Sequence, residues 1–345
     1  MHQANENMER VARIGIVGCG AIGRAHAEVW EQIPRAMVTA VCDSVPERAK
    51  EIGARFSAAV FEDLIAMCAS GCIDAVDICT PSGLHAEQGL VAASHGLHVI
   101  TEKPLDLVAK RAESLVRRCD EMGVKLACVL QRRAYAGPQA VTRAIQEGKL
   151  GRLLMCSASI KWWRDQAYYD SSGWRGTRAL DGGVLANQGI HALDHLCWMA
   201  GPVSEVLYAE ARTEVHTMEA EDVLTAVVRF QSGATGVIEA TTCSNPPLCS
   251  RVEVVGSEGA AAFDDAQVTV FGYGGVDRRA ELQQDGGKLG GRSEAMAISL
   301  HGHHLILSDF AAALLEDRDP IVTGRDALPS VQALSAIYRA AGIQQ

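Results

Sequence analysis

Between residues 13 and 128, short apolar runs alternate with stretches whose apolar positions recur every three or four residues. The runs RIGIV, MVTAVC, AVDIC, HVI and KLACV predict strands buried on both faces, since a strand with one wet face would alternate apolar with polar. The intervening segments AHAEVWEQI, LHAEQGLVAASHG and AKRAESLVRRCDEMG predict amphipathic crossover helices, often with Gly or Pro at their ends. Strand and helix in strict alternation predict a doubly wound parallel sheet. A further helix, PQAVTRAIQEGKLG, begins near Pro138.

From about Arg152 the period changes to two. LLMCSASIKWW, VLTAVVRF, TGVIEATT and RVEVVG predict an open, mostly antiparallel sheet with one covered face. The Gly-rich stretch 272–292 reads as a mobile hairpin or loop. From about His301 the helical period returns in HLILSDFAAALLE and ALPSVQALSAIYRAA, and no longer repeat is visible.

Composition narrows the partners. A chain of 345 residues, 48% apolar and 21% charged, suits two globular domains of mixed α/β class. A net charge of −10 disfavours nucleic acid and anionic lipid and leaves small molecules as partners. The opening MHQANENMERVA lacks an apolar signal core, and no run reaches spanning length, so no membrane association and a cytoplasmic location are expected. Eleven scattered cysteines, among them Cys42, Cys79 and Cys128 inside strand runs, suit a reducing compartment. Cys68 and Cys72 lack a second pair at zinc spacing, so no metal site is expected.

The most specific local signal is Gly18-Cys19-Gly20-Ala21-Ile22-Gly23, directly after RIGIV and at the start of a helix. Gly18 permits a tight turn, Gly20 lets backbone approach a pyrophosphate, and Gly23 allows close helix-to-strand packing. Asp43 ends the second strand, with Ser44 beside it, and a carboxylate there accepts ribose hydroxyls and repels a 2′-phosphate. NAD is therefore favoured over NADP, which Arg48 nearby keeps open. The expected organisation is a tail at 1–12, a Rossmann dinucleotide-binding domain at 13–130, and a substrate and oligomerisation domain at 131–345. The last helices are expected to return to the first domain.

Two segments carry proton-transfer chemistry. Thr101-Glu102-Lys103-Pro104 follows the strand HVI, at the sheet edge where open α/β folds bind ligands, and Lys103 can donate to a substrate oxygen there. Asn187-Gln188-Gly189-Ile190-His191-Ala192-Leu193-Asp194 follows Gly182-Gly183 and predicts a helix from near Asn187, with His191 one turn on as a general base. Each has a bland alternative, a surface lysine before a turn and a satisfied core histidine. His191 and His195 stand at metal-ligand spacing but lack an evident third ligand. His301, His303 and His304 read as capping or solvent-facing residues with no role.

Taken together, the glycine turn, Cys79-Thr80-Pro81-Ser82-Gly83-Leu84-His85, Glu102-Lys103-Pro104 and the Asn187 to Asp194 stretch resemble the Gfo/Idh/MocA oxidoreductases in order and spacing. The resemblance covers nearly the whole chain. It implies a Rossmann domain joined to an α/β domain whose open sheet walls the active site and forms homodimers or homotetramers. It also implies that Lys103 and His191 are catalytic, that Thr80, Pro81 and His85 line the cofactor, and that Glu102 lies near the nicotinamide ribose. Ala21, Ile22, Ser44, Trp174 and Arg175 complete the expected cofactor contacts; Lys103, Gln131, Lys161, Arg164, Tyr169, Asn187 and His191 form the expected substrate set.

One departure stands out. Many members carry aspartate four residues before the histidine, where this chain has Asn187. An amide orients a hydroxyl but is no carboxylate base, so that role falls on His191. The NQGIH form, with Lys161-Trp162-Trp163-Arg164, Tyr168-Tyr169 and Trp174-Arg175-Gly176-Thr177, is most similar to the branch of UDP-N-acetylglucosamine-uronate 3-dehydrogenases. Flat aromatic faces suit a pyranose, and the cations suit a carboxylate or diphosphate; the same aromatics can instead pack a domain interface. The expected activity is reversible oxidation of a secondary hydroxyl on a sugar, sugar acid or polyol by hydride transfer to NAD. A non-catalytic NAD(H) sensor and an oxidoreductase that never releases its cofactor stay open.

Overall fold

The computed structural model describes residues 10–282 and 299–344, in two compact units. One comprises residues 10–106, 110–131 and 300–327; the other comprises 107–109, 132–282 and 328–344, with Ser299. The chain thus returns to the first unit after residue 299.

The first unit holds a six-stranded sheet of order β3-β2-β1-β4-β5-β6, parallel throughout. Its strands are β1 (Ala12–Val17), β2 (Ala36–Cys42), β3 (Ala59–Phe61), β4 (Ala75–Ile78), β5 (His98–Thr101) and β6 (Leu126–Cys128). Five match the apolar runs named from sequence; β3, on the short run AAVF, is an additional edge strand, mostly exposed. The helices are α1 (Ala21–Glu31), α2 (Pro46–Phe56), α3 (Leu64–Ala69), α4 (His85–Ser94) and α5 (Ala109–Met122). Chain order reverses between β1 and β4, which opens the ligand crevice at their carboxyl ends. A later helix, α9 (His301–Glu316), packs on α1 and β1.

The second unit holds an eight-stranded sheet of order β14-β13-β12-β11-β7-β10-β9-β8. β7 (Leu153–Lys161) and β10 (Thr235–Thr241) pair parallel, and every other neighbour is antiparallel. β9 (Val223–Phe230) and β11 (Cys249–Gly256) share the alternation of β7, burying Cys156, Ala158, Ile160, Ala226, Val228, Val252 and Val254 on one face. Two helices, α6 (Ala136–Gln146) and α8 (Ile190–Ala200), supply the cover, α8 packing on β7 and β11. The opposite face is wetter and leaves Met155 and Val255 exposed. The remaining strands are β8 (Val203–Arg212), β12 (Gly259–Asp264), β13 (Gln267–Tyr273) and β14 (Val276–Asp277). β13 and β14 form a hairpin over the first part of the Gly-rich stretch; residues 283–292 of that stretch lie outside the described residues. A short α7 (Gln166–Asp170) and a final α10 (Gly324–Ala340) complete the chain. No described helix is long and apolar enough to cross a membrane.

Candidate active site

The glycine turn separates three demands that the motif alone merges. Gly18 has φ +89, and a Cβ there would lie 2.7 Å from the Cys79 carbonyl oxygen. A Cβ on Gly23 would overlap the Gly18 carbonyl oxygen. A Cβ on Gly20 would meet no protein atom within 4 Å. Gly18 and Gly23 thus serve the fold, whereas Gly20 faces open space at the start of α1, a helix with no side-chain cap and no acid in its first turn. Bare amides and a positive helix end fit an anionic pyrophosphate. The exposed Ala21 and half-buried Ile22 lie in that first turn.

Asp43, half-buried at the end of β2, accepts from the Cys19 amide at 2.6 Å and from the Val45 amide at 2.7 Å. It ties the glycine turn to the start of α2, and each oxygen retains acceptor capacity for a ribose hydroxyl. Ser44 and Arg48 are exposed beside it. Thr80 Oγ1 donates to Gln88 at 2.6 Å. His85 is buried, its Nδ1 2.7 Å from the Pro104 carbonyl oxygen and its Nε2 2.9 Å from that of Thr80. It therefore fastens the Thr80-Pro81 loop to the segment after Lys103.

Glu102 and the half-buried Lys103 follow β5, and Glu102 Oε2 accepts from the Lys103 amide at 3.0 Å. Glu102 Oε1 meets His26 Nε2 at 3.1 Å and His303 Nε2 at 3.3 Å. Burial opposes the Glu102 carboxylate, but hydrogen bonds from His26 and His303 hold it well below the usual carboxylate range. His303 is buried and neither caps α9 nor faces solvent, a correction to its reading from sequence. Gln131 opens a 3-10 turn after β6, and its Oε1 is buried with no hydrogen-bond partner among the described residues.

In the second unit the segment around Asn187 is a π-turn, Leu185–Gly189, that runs into α8. The π-turn opens the helical segment near Asn187, as expected, but its wider winding changes the register between Asn187 and His191. Asn187 is the half-buried member of an otherwise buried run from Asp181 to Ile190. Its amide donates to Asp181 Oδ1, while Asp181 Oδ2 accepts from the Gly176 amide at 2.8 Å. A carboxylate thus stands against Asn187 from a position six residues earlier in the chain. His191 is buried on α8. Asp194 belongs to a buried pair with Arg133, both contacts at 2.7 Å. Burial, and then the guanidiniums of Arg132 and Arg133, push His195 down to about 3, so it is no proton acceptor near neutrality.

Beneath the π-turn, buried Glu221 accepts from Tyr338 Oη at 2.7 Å and from the Leu185 amide at 3.2 Å. A Cβ on Gly183 would overlap that carboxylate. Burial pushes Glu221 up to about 7, against the hydrogen bond from Tyr338. Above its ordinary 4.5 the unfolded chain is ionised while the fold keeps the proton, so this stability is lost as pH rises through 7. Relative to Glu221→Gln, the wild type is expected to lose up to ~3 kcal/mol between about pH 5 and pH 8 in urea unfolding. Parallel curves would refute the assignment.

The aromatic and cationic residues gather around Tyr168. Its ring lies between Arg164, 5.2 Å away, and Arg175, 4.2 Å away, and Arg175 also donates to Tyr168 Oη at 2.5 Å and lies 4.6 Å from the Trp174 ring. Arg175 makes no ion pair among the described residues. Burial lowers the pKa of Arg164, which donates to the Trp163 carbonyl oxygen at 2.7 Å. Buried Tyr169 shares a hydrogen bond of 2.8 Å with Thr242. Lys161 is not part of this cluster. The β7 alternation sets it on the wetter sheet face, paired with Glu239 at 2.6 Å.

Asp181, Glu221, Tyr338, His26 and Asp77 were not singled out from sequence. Asp181, a polar residue ahead of a helix start, left a faint capping signal. The others meet their partners across long separations that no local pattern reveals.

An uncapped glycine turn at the switch point of a doubly wound sheet defines a dinucleotide-binding protein. Residues 12–129 match the oxidoreductase family with an NAD-binding Rossmann fold, and residues 139–262 match the GFO/IDH/MocA C-terminal domain. The chain belongs to the Gfo/Idh/MocA oxidoreductases, and its cofactor is NAD. It is similar to the WlbA dehydrogenase of Bordetella pertussis, solved in complex with NADH and UDP-GlcNAcA, at 34% identity and TM-score 0.87, over 97% of this chain and 96% of that one. The WlbA dehydrogenase of Chromobacterium violaceum, solved with the same two ligands, is 31% identical, with TM-score 0.86 over 97% and 94% of the two chains. The D-apiose dehydrogenase of Paraburkholderia graminis is 27% identical over 332 residues, 94% of this chain and 86% of the relative.

Proposed function

We propose that this chain is a dehydrogenase that oxidises a secondary hydroxyl of a nucleotide-linked sugar acid, of the class of UDP-N-acetylglucosaminuronate. The observation that carries the reading is the likeness, over nearly the full length of both chains, to two dehydrogenases solved with that ligand. The Arg164, Tyr168, Arg175 and Trp174 cluster supports it, since guanidiniums beside flat rings suit a carboxylate and a pyranose together.

In this reading the first unit holds the cofactor and the second unit, from about residue 131, holds the sugar. Gly18, Gly20, Gly23, Asp43, Thr80 and Glu102 bind or shape the cofactor site. NAD accepts the hydride when bound. Lys103 donates a hydrogen bond to the reacting oxygen, His191 takes the hydroxyl proton, and Asn187, held by Asp181, orients the hydroxyl. Gln131 offers its buried carbonyl to a sugar hydroxyl. Catalytic relatives and the presence of both Lys103 and His191 support an enzyme over a sensor. Free cysteines throughout support a cytoplasmic setting, and exposed Met155, Leu207, Tyr208 and Val255 on the open sheet support pairing of copies through it.

The test is NADH formation from NAD with a panel of sugars. UDP-N-acetylglucosaminuronate is expected to give a kcat/KM on the order of a hundredfold above UDP-N-acetylglucosamine, which lacks the carboxylate, and above inositol or apiose. Equal or better turnover of the uncharged sugars would overturn the substrate class.

A further inference from the structure

At the carboxyl ends of β4 and β5 lies a buried ionic cluster of which the reaction scheme uses only Glu102. Asp77, fully buried on β4, accepts from Trp30 Nε1 at 2.7 Å and faces His26 Nδ1 at 2.9 Å. His26, also fully buried on α1, bridges from Asp77 to Glu102, and His303 reaches Glu102 from α9. The Cys79 thiol lies 3.3 Å from His26 Nδ1. Two carboxylates are thereby committed to a dry site, an arrangement that costs several kcal/mol per uncompensated charge and is seldom retained for stability alone.

The protonation states follow the contacts. Burial works against a charged His26, yet the Asp77 carboxylate and the Cys79 thiol raise its pKa well above the ordinary value. Burial also pushes the Cys79 thiol up, keeping it neutral. Two acidic side chains, Asp77 and Glu102, thus share the one charged imidazole of His26, which makes the cluster acid-rich. His303 closes the cluster from α9, its Nδ1 buried without a partner among the described residues.

Location gives that charge a target. Asp43 marks the β2 side of the crevice as the adenosine side, so the nicotinamide ring of a dinucleotide lies over β4 and β5. The ring is cationic in NAD+ and neutral in NADH. We propose that the Asp77, His26, Glu102 and His303 cluster sets the redox preference of the cofactor site, its residual negative charge favouring NAD+ over NADH. This rests on the cofactor assignment and not on the sugar. Its test needs no turnover, so a wrong substrate class leaves it standing.

The experiment is titration of the full chain with NAD+ and with NADH, followed by intrinsic fluorescence. Glu102→Gln and Asp77→Asn each remove a buried charge at nearly constant shape. Either variant is expected to move the ratio of the two dissociation constants about tenfold towards NADH, a shift of ~1.4 kcal/mol. Lys110→Gln, exposed on α5 away from the cluster, should leave the ratio unchanged. Wild-type ratios in a folded Glu102→Gln protein would overturn the proposal. The wild type supplies a second readout should both variants misfold. Histidine 15N shifts with NAD+ bound near pH 8 should show at most one of His26 and His303 protonated on both nitrogens, whereas two charged imidazoles would cancel both carboxylates and equally overturn it.

Discussion

His191→Ala is expected to lower kcat by about a hundredfold or more while NAD binds within about twofold of wild type. The residue sits buried on α8, in the unit that carries the guanidinium and aromatic cluster, and the glycine turn lies in the other unit. Removing it should therefore strip out proton transfer without disturbing the cofactor. His195, one turn further on, is buried beside Arg132 and Arg133 and is poorly placed to substitute. Lys103→Met should produce a comparable loss, and the double variant should lose little more than either single one if the two groups serve the same step, as proposed. Steady-state kinetics with a separate NAD titration checks this; wild-type turnover in His191→Ala would remove the histidine from the scheme.

The glycine turn yields the second large effect, and it divides between binding and folding. Gly20→Ala should leave the unfolding free energy of the cofactor-free protein nearly unchanged, because its Cβ meets no protein atom. On the proposed cofactor site the same methyl group would intrude where the pyrophosphate approaches, so NAD affinity should fall by about tenfold or more. Gly23→Ala should do the reverse in order of cause. Its Cβ overlaps the Gly18 carbonyl, so the protein without cofactor should lose roughly 1–3 kcal/mol, and weaker NAD binding would follow from the displaced helix. Equal destabilisation of the two variants in denaturant melts would contradict this division.

Much of this architecture was legible from residue order because its signals are local. The change of period near residue 152 marks the passage from doubly buried strands to strands with one wet face. The glycine turn was legible because a positive φ and a close backbone approach each demand glycine at a fixed place. What escaped was tertiary. His303 looked like a helix-start residue since HGHHL has no clear stripe; only the packing of α9 on α1 takes it to Glu102. The π-turn at Leu185–Gly189 is held by Glu221 and, through it, Tyr338, contacts that no spacing encodes.

The site was legible in parts. Asn187 raised the question of a missing carboxylate, and Asp181 stands against it from an earlier position. Lys161 shared a segment with Arg164, but strand alternation sets it on the wetter face of β7, paired with Glu239. Asp43 drew notice for its value to a ribose; its carboxylate also holds the glycine turn to the start of α2, a fold contact that no local pattern signalled.

The proposed function requires hydride to pass from a sugar carbon to NAD on this protein. UDP-N-acetylglucosaminuronate carrying deuterium on the carbon to be oxidised, incubated with the protein and NAD, tests that directly by mass spectrometry. The account predicts deuterium on the nicotinamide ring of the product NADH, together with a ketone on the sugar. Unlabelled NADH, or label lost to water, would contradict it.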